Sequence, residues 1–303
     1  DVEQAVKALP GVDEVTIAFS SRVRAAGTGM PSRTPLPGVK NTVAVASGKG
    51  GVGKSTVAVN LAVALAQEGA RVGLLDADVY GPSVPTMMGN RGRPFLQNEK
   101  IVPLESYGVR IMSVGFILDP ERALIWRGPL VSQLITQFLN DVDWGELDYL
   151  VIDLPPGTGD VQLTLVQRIP LSGAIIVTTP QDVALADAVK GLQMFREVKT
   201  PVLGIIENMS YFICPHCGGR SDIFGSGGGQ RTAERYDVPL LGQIPIDPAI
   251  REGSDAGRPI VVSAPNSSTA LAFREAARRA AGRLSVEAVR KPRKPTIMLK
   301  PGV

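Results

Sequence analysis

Residues 48–56 read GKGGVGKST, a glycine-rich segment with two lysines. It fits the pattern G-x-x-x-x-G-K-[ST], in which glycines let successive backbone N–H groups turn towards one anion. A short apolar run, Val43–Ala46, precedes the stretch, and a helical pattern begins near Ser55. A phosphate-binding loop requires this order of strand, loop and helix, because the helix N-terminus adds partial positive charge. We therefore predict that residues 48–56 bind the phosphates of a nucleoside triphosphate.

Two side chains of this loop have specific predicted roles. Lys54 should reach the β- and γ-phosphates, and the Ser55 hydroxyl should ligate Mg²⁺. The other predicted nucleotide contacts in the loop are Gly48, Gly50, Gly51, Val52, Gly53 and Thr56. The sequence thus predicts an ATPase that uses ATP and Mg²⁺.

Short apolar runs alternate with helical stretches from Val39 to about Ala281. The runs are continuous and rich in Val and Ile, as expected for strands that are buried on both faces; they are residues 43–46, 72–75, 149–152, 174–177 and 202–206. Helices predicted at 55–68 and 184–198 connect them, and a last helix is predicted at about Ser268–Leu284. The predicted fold class is α/β, a mostly parallel sheet flanked by helices.

Polar residues stand where several of these predicted strands end. Asp153 follows one strand, and Asp76 and Asp78 follow another. Phosphoryl transfer needs a metal anchor and an oriented water, and carboxylates at strand ends can supply both. We predict that Asp153 holds Mg²⁺ through water and that the Gly157 N–H contacts the γ-phosphate. Asp160, at the end of the same loop, fits either the site or a helix cap.

Composition and charge narrow the possible partners. The net charge of +3 depends on five basic side chains between Arg290 and Val303; without them the rest carries −2. We read this end as a solvated basic tail and expect no nucleic-acid binding. The sequence contains no membrane-spanning pattern and no secretory signal pattern, so no membrane partner is expected.

Both cysteines of the chain, Cys214 and Cys217, flank Pro215 and His216, the only histidine. A lone C-x-x-C pair can be redox-active, metal-binding or accidental. Two glycines follow the pair, which favours the turn of a metal site over a helix start. Two thiolates are half of a four-ligand site, and a symmetric dimer would supply the rest. So few cysteines indicate a reducing compartment, and we expect the cytoplasm.

The loop contains a lysine besides Lys54. This residue, Lys49, directly follows the first glycine, and with it the loop resembles that of a known family. GKGGVGKST resembles the deviant Walker A loop of the ATPases that include MinD, ParA, the nitrogenase iron protein and the Mrp/ApbC iron–sulfur carriers. The resemblance implies that Lys49 crosses a dimer interface to the partner's phosphates and makes hydrolysis depend on the dimer. It also implies that Asp78 orients the attacking water, that Asp76 lies near the metal, and that Asn208 reads the base.

Four further stretches resemble the Mrp/ApbC branch specifically: DADVYGPS (76–83), WRGP (126–129), DYLVIDLPPGTGD (148–160) and ENMSYFICPHCG (207–218). This resemblance implies a homodimer that binds a [4Fe–4S] cluster through Cys214 and Cys217 of both subunits. It also implies transfer of that cluster to apo iron–sulfur proteins. Zn²⁺ is the rival ligand because tetrahedral thiolates also accept it, and His216 is expected to be a bystander.

The division of the chain follows from the same patterns. Residues 1–20 resemble the end of a small N-terminal assembly domain, 21–38 a linker, 39–285 the ATPase domain and 286–303 a basic, proline-containing tail. The alternative function is a positioning ATPase of the MinD or ParA kind. A MinD-type membrane helix conflicts with Pro292, Pro295 and Pro301 near the C-terminal end, and a ParA-type DNA face conflicts with the acidic body.

Overall fold

The computed structural model describes residues 23–27, 34–117 and 128–290, together with the single positions 7, 12, 14 and 15. Apart from those single positions, residues 1–20, predicted as the end of an assembly domain, lie outside the described residues. So do residues 21–22 and 28–33 of the linker, the Trp126-Arg127 part of the WRGP stretch, and the chain from residue 291 onwards.

The strands of the described chain are β1 (Val39–Ser47), β2 (Val72–Asp76), β3 (Phe95–Gln97), β4 (Lys100–Val102), β5 (Leu104–Ser106), β6 (Val109–Ser113), β7 (Leu147–Asp153), β8 (Gly173–Thr178), β9 (Val202–Glu207), β10 (Phe212–Ile213), β11 (Arg220–Ser221) and β12 (Leu240–Gln243). The helices are α1 (Lys54–Gln67), α2 (Val84–Met87), α3 (Gly128–Asp141), α4 (Asp160–Arg168), α5 (Asp182–Glu197), α6 (Gly228–Arg235), α7 (Pro248–Asp255), α8 (Ile260–Ser263) and α9 (Ser268–Arg290). A short 3₁₀ helix covers Val114–Phe116.

The main sheet has the strand order β12-β9-β8-β1-β7-β2-β6-β5. Its pairs are parallel except for β5 with β6, which are antiparallel. The mostly parallel α/β fold predicted from the alternating pattern is therefore confirmed. β1, which leads into the glycine-rich loop, lies in the interior of the sheet between β7 and β8.

Helices cover both faces of this sheet, as the continuous apolar runs require. Val43 and Val45 of β1 belong to a core cluster that contains residues of α1 and α9, whereas Ala44 and Ala46 belong to a second cluster with residues of α3, α4 and α5. One strand thus contributes alternate side chains to two cores. No helix in the part of the chain that the structure describes is long and apolar enough to cross a membrane.

The observed strands extend past the predicted apolar runs into polar residues. Asp76, Asp153 and Glu207 are the last residues of β2, β7 and β9, and all three are fully buried. Each of them has a polar partner beside its strand end: the Ser113 hydroxyl for Asp76, the Lys54 ammonium for Asp153 and the Gly229 N–H for Glu207. The register places Asp76 directly opposite Asp153 on the neighbouring strand.

The last helix is longer than predicted. α9 continues from the predicted end at Leu284 to Arg290, so the boundary predicted between 285 and 286 falls inside a helix. The added residues form helix readily, and Arg283 and Glu287 form an ion pair at i,i+4 spacing with 3.9 Å between nitrogen and oxygen. The hairpins β3–β4 and β10–β11 and the antiparallel edge strand β5 were not predicted.

Candidate nucleotide and thiolate sites

The glycine-rich loop joins the end of β1 to the start of α1, as predicted. Gly53 has a left-handed backbone (φ 78°) as the residue before α1, a conformation that favours glycine. Gly48 is required for a different reason: a Cβ there would lie 2.2 Å from the carbonyl carbon and oxygen of Asp187. The backbone of α5 therefore presses directly on the start of the loop. Cβ atoms on Gly50 and Gly51 would meet open space.

Lys54 is the buried cation of the site. Its side chain is 5% exposed, and its ammonium lies 2.7 Å from Asp153 Oδ1 and 3.7 Å from Asp78 Oδ2. It also donates a hydrogen bond of 3.3 Å to the Ser55 hydroxyl. The structure thus brings together the loop lysine, the predicted Mg²⁺-ligating serine and two of the three predicted carboxylates.

Asp76 is the third carboxylate, and it is fully buried. It accepts hydrogen bonds from the Ser113 hydroxyl at 2.9 Å and from the Val84 N–H at 3.3 Å. Burial, and then the negative charge of Asp153, raise the pKa of Asp76 to about 8. Burial also raises the pKa of Asp78, while the Lys54 ammonium partly opposes that rise.

The arrangement of carboxylates in this cluster fits a cation. Asp153 and Asp78 share the ammonium of Lys54, Asp76 lies opposite Asp153, and Asp153 Oδ2 is buried without a hydrogen-bond partner. An unpartnered buried carboxylate oxygen is costly unless a cation or a water satisfies it. Among the described residues, no group of three His, Cys, Asp or Glu side chains is arranged to hold a metal ion by itself. A Mg²⁺ here would therefore share its coordination with Ser55, waters and phosphate oxygens.

The loop after β7 differs from the prediction in one respect. The Gly157 N–H, expected to contact a γ-phosphate, donates instead to the Ser47 carbonyl at 3.0 Å. Asp160 lies in the first turn of α4, where a carboxylate stabilises the helix through its dipole. The structure therefore favours the helix-end interpretation of Asp160 over a place in the site.

Asn208 contacts the loop itself. Its side-chain amide is buried and donates to the Val52 carbonyl at 2.9 Å. A Cβ on Gly53 would lie 2.2 Å from the same nitrogen, so Asn208 packs tightly against the turn into α1. Its contact with the loop backbone is a structural role that the sequence reasoning missed.

The remaining residues of the loop make fewer contacts with the buried carboxylates. Ser47 donates its hydroxyl to the Lys49 carbonyl at 2.9 Å, and the Lys49 side chain is partly exposed. The Thr56 carbonyl accepts from Asn60 at 2.9 Å inside α1. Lys49 thus lies on the surface of the site, whereas Lys54 lies within it.

Cys214 and Cys217 form the turn of the β10–β11 hairpin. The Cys214 N–H donates to the Gly219 carbonyl, and the Gly218 N–H donates to the Cys214 carbonyl, each at 2.9 Å. Gly218 has φ 69°, which closes the turn. The predicted knuckle turn is confirmed, and the pair does not start a helix. Cys217 is exposed and Cys214 is half-buried.

The hairpin activates one of its thiols. Hydrogen bonds from the Cys217 and His216 backbones and from the Cys217 side chain lower the pKa of the Cys214 thiol below its ordinary value. Donation of N–H groups to sulfur favours the thiolate, which is the form that binds metals. His216 is exposed in the same turn.

Two residues of these sites were missed by the sequence analysis. Ser113, at the end of β6, fixes Asp76, and Glu207 lies buried beside Asn208 at the end of β9. Their signal in the sequence is the same as that of the predicted aspartates, a polar residue that closes an apolar run.

Comparison with known proteins places this loop, these carboxylates and the cysteine hairpin in one family. The model of ParA, described as "NUBPL iron-transfer P-loop NTPase", matches residues 38–281. The chain belongs to this family. The match covers the described sheet, the phosphate-binding loop and both cysteines, and it agrees with the resemblance drawn from the motifs.

Curated relatives of this ParA/NUBPL chain have closely similar sequences. An iron–sulfur cluster carrier protein of Synechocystis is 52% identical over 295 residues, covering 95% of this chain and 83% of its own. One from Deinococcus radiodurans is 54% identical, covering 94% and 80%. The "Iron-sulfur protein required for NADH dehydrogenase, mitochondrial" of Arabidopsis thaliana is 53% identical, covering 86% and 82%.

Solved structures show the same fold. A nucleotide-binding protein from Archaeoglobus fulgidus in complex with ADP is 45% identical, with a TM-score of 0.67, covering 74% of this chain and 88% of its own. MinD of Pyrococcus horikoshii, complexed with Mg-ADP, is 25% identical, with a TM-score of 0.59, covering 82% and 98%. The P-loop NTPase fold of this ParA/NUBPL member is therefore shown by sequence and by structure.

Proposed function

We propose that the chain is an ATP-dependent iron–sulfur carrier. It takes up a [4Fe–4S] cluster as cargo between Cys214 and Cys217 of two copies and passes it to apo iron–sulfur proteins. The observation that carries this proposal is the exposed cysteine hairpin, in which backbone N–H groups lower the pKa of the Cys214 thiol. The carriers from Synechocystis and Deinococcus support it, because they share more than half of its residues.

The hairpin suits a cluster that must be released. One chain supplies two thiolates, while a [4Fe–4S] cluster takes four, so two copies related by a two-fold axis complete the set. Thiols at the surface can be reached by an acceptor protein, which a buried ligand set would prevent. Thiolates also need reducing conditions, in agreement with the cytoplasmic location expected from the sequence.

The nucleotide site supplies the switch in this proposal. Backbone N–H groups of residues 48–56 and the Lys54 ammonium bind the phosphates. Ser55, and Asp153 and Asp76 through water, hold Mg²⁺, which neutralises phosphate charge. Asp78 orients the attacking water, and Lys49 contacts the phosphates of the partner subunit. Slow hydrolysis that depends on the dimer follows from this arrangement, because the phosphates bound to a lone chain lack the Lys49 of a partner subunit.

Anaerobic reconstitution tests the proposal. The chain is incubated with ferrous iron and sulfide, and iron per dimer is counted beside the absorption spectrum. We expect about four irons per dimer and a broad thiolate-to-iron band near about 400 nm. His216→Ala is the matched control and should retain all the iron, since the proposal gives His216 no bond to the cluster.

A different metal would overturn the cargo assignment. Retention of zinc by the purified chain, without uptake of iron, would leave a zinc-bridged dimer instead of a carrier. Iron uptake that cannot be passed to an apo ferredoxin in a mixing experiment would leave a cluster-binding protein without the transfer step.

A further inference from the structure

Glu207 is a buried carboxylate whose surroundings are unlike those of the aspartates in the nucleotide site. It is fully buried at the end of β9. Its donors among the described residues are neutral: the Ser210 hydroxyl at 2.5 Å, the Gly229 N–H at 2.5 Å and the Gln243 amide at 3.0 Å. Burying a carboxylate without a cation is costly, so this arrangement needs a structural or functional reason.

Two of these donors mark the two ends of one segment. Residues 210–229, here called the cysteine loop, leave β9, form the β10–β11 hairpin with Cys214 and Cys217, and return at the start of α6. Ser210 belongs to the outgoing end and Gly229 to the returning end. A single carboxylate therefore fastens both ends of the segment that carries the thiols.

The returning end is built for this contact. A Cβ on Gly229 would lie 2.7 Å from Glu207 Oε2, so only glycine lets the backbone come this close. The Gly229 N–H belongs to the first turn of α6, where unpaired N–H groups and the helix dipole favour a negative charge. The helix N-terminus thus stabilises the buried charge in place of a cation.

The neighbouring residue connects the same point to the nucleotide site. Asn208 follows Glu207 in the chain and donates to the Val52 carbonyl, two residues before Lys54. On the other side, the Ile244 N–H donates to the Glu207 carbonyl, and the Ser210 N–H donates to the Ile244 carbonyl, each at 2.9 Å. A continuous set of hydrogen bonds between buried residues therefore links Val52 to the start of the cysteine loop.

We propose that Glu207 is a positioning residue that couples the phosphate-binding loop to the thiols of the cysteine loop. Glu207 accepts hydrogen bonds from both ends of that segment, and its neighbour Asn208 contacts the phosphate-binding loop. Nucleotide bound to that loop therefore changes the reactivity of Cys214 and Cys217. This proposal rests on the proposed nucleotide and cluster binding and adds the residue that links them.

The experiment compares thiol reactivity with and without nucleotide. Cluster-free protein is alkylated with iodoacetamide under anaerobic conditions, with and without ADP and Mg²⁺, and the ratio of the two rates is the coupling factor. We expect a factor of about five in the unmodified chain, at the lower end of typical coupling between sites. Glu207→Gln, which cannot accept from both loop ends, should bring the factor close to one.

Controls separate coupling from loss of structure. Glu234→Gln, on the exposed face of α6, should keep the full factor. Ser210→Ala removes only the hydrogen bond at the outgoing end of the cysteine loop and should also reduce the coupling factor. It takes the place of Glu207→Gln if that variant does not fold. A merely structural role would loosen the hairpin and raise both rates, which leaves their ratio unchanged.

The outcomes also distinguish this inference from the proposed function. If the unmodified chain binds ADP and takes up iron but has a factor of one, the coupling through Glu207 is wrong and the carrier proposal stands. The coupling is equally wrong if Glu207→Gln, or a folded Ser210→Ala, retains the full factor. Failure of the unmodified chain to bind ADP or iron would overturn both proposals.

Discussion

The nucleotide site and the cysteine loop differ in how much of each site one chain provides. Asp76 and Asp153 are buried at the ends of parallel strands, and Lys54 is buried at the start of α1; each contacts another of the three or a fixed neighbour. The thiols lie on a hairpin of two-residue strands, with Cys217 exposed. In the proposed function, one chain therefore supplies most of the nucleotide site but only half of the ligands for the cluster.

Because the two regions differ in burial, mutations in the nucleotide site and in the cysteine hairpin should have different effects. A change in the nucleotide site disturbs groups that have no access to water, so it should affect both binding and stability. A change in the cysteine hairpin removes ligands from a surface turn, and the fold around it should remain intact. The following predictions test that contrast.

Lys54→Ala should have the largest effect. The variant loses the buried cation that lies 2.7 Å from Asp153, and nucleotide phosphates lose their charged partner. We expect ADP affinity to fall by about 100-fold, or about 3 kcal/mol, in a titration with a fluorescent ADP analogue. Lys49→Ala, measured at concentrations that keep the chain monomeric, should stay within about threefold. Undiminished affinity in Lys54→Ala would remove the basis of the P-loop assignment.

Cys214→Ala should abolish iron binding and leave the nucleotide site unchanged. The side chain is on the surface hairpin, and each copy would then supply one thiolate to the cluster. Iron per dimer after reconstitution should fall from about four to near zero, while ADP affinity stays within about twofold. A full cluster in this variant would contradict the assignment of ligands from two subunits.

Asn208→Ala should have an intermediate effect on the nucleotide site. It leaves the buried Val52 carbonyl without its donor, which costs about 1–3 kcal/mol of unfolding free energy. We expect ADP affinity to fall by about tenfold, because the turn into α1 is no longer fixed. Thermal unfolding and ADP titration would measure both effects. Asn90→Ala, on a partly exposed loop, is the control and should leave ADP affinity unchanged.

Asp148→Asn should have the smallest effect. It should lower the free energy of unfolding at neutral pH but not at strongly acidic pH. Burial raises the pKa of Asp148. Hydrogen bonds from Lys40 (2.6 Å) and the Arg71 N–H (2.9 Å) lower it by more than burial raises it, so the pKa lies below its ordinary value. A carboxyl whose pKa is lowered by folding adds stability above its unfolded pKa of about 3.9, and that stability disappears as the pH falls through the folded pKa.

The measurement is denaturant unfolding at several pH values. At pH 7 the variant should lose about 1 kcal/mol or less, because both basic partners are partly exposed to solvent. The difference should shrink as the pH falls below about 4 and vanish once the pH is below the lowered pKa of folded Asp148. Asp143→Asn, at an exposed position, should show no difference. A difference that does not shrink with falling pH would mean that the charge of Asp148 does not contribute.

The parts of the molecule that follow a local rule could be predicted from the sequence. The P-loop, the buried strands and the carboxylates at their ends each obey a spacing or a hydrophobic period, and the structure has them where the patterns indicate. The knuckle turn of the cysteines follows from Gly218, which the turn requires at positive φ.

Contacts between distant segments could not be predicted in this way. Two hydrogen bonds, from the Asn208 amide to the Val52 carbonyl and from the Gly229 N–H to Glu207, join residues that are distant in the sequence. No local sequence pattern predicts them. The same holds for Gly48, which fits the motif as a turn residue but is needed because α5 approaches at Asp187. The extent of α9 was missed because its last turn lacks a strong apolar stripe.

The central position of β1 has a consequence for synthesis. β1 ends at Ser47, but its neighbours β7 and β8 begin at Leu147 and Gly173, so neither edge of the first strand can pair until about a hundred further residues have been made. Pairing over such separations is slow, and unpaired apolar strands attract other chains meanwhile. A nascent chain that ends before residue 147 therefore has no partner for either edge of β1, and its apolar strand stays open to association with other chains until β7 and β8 are made.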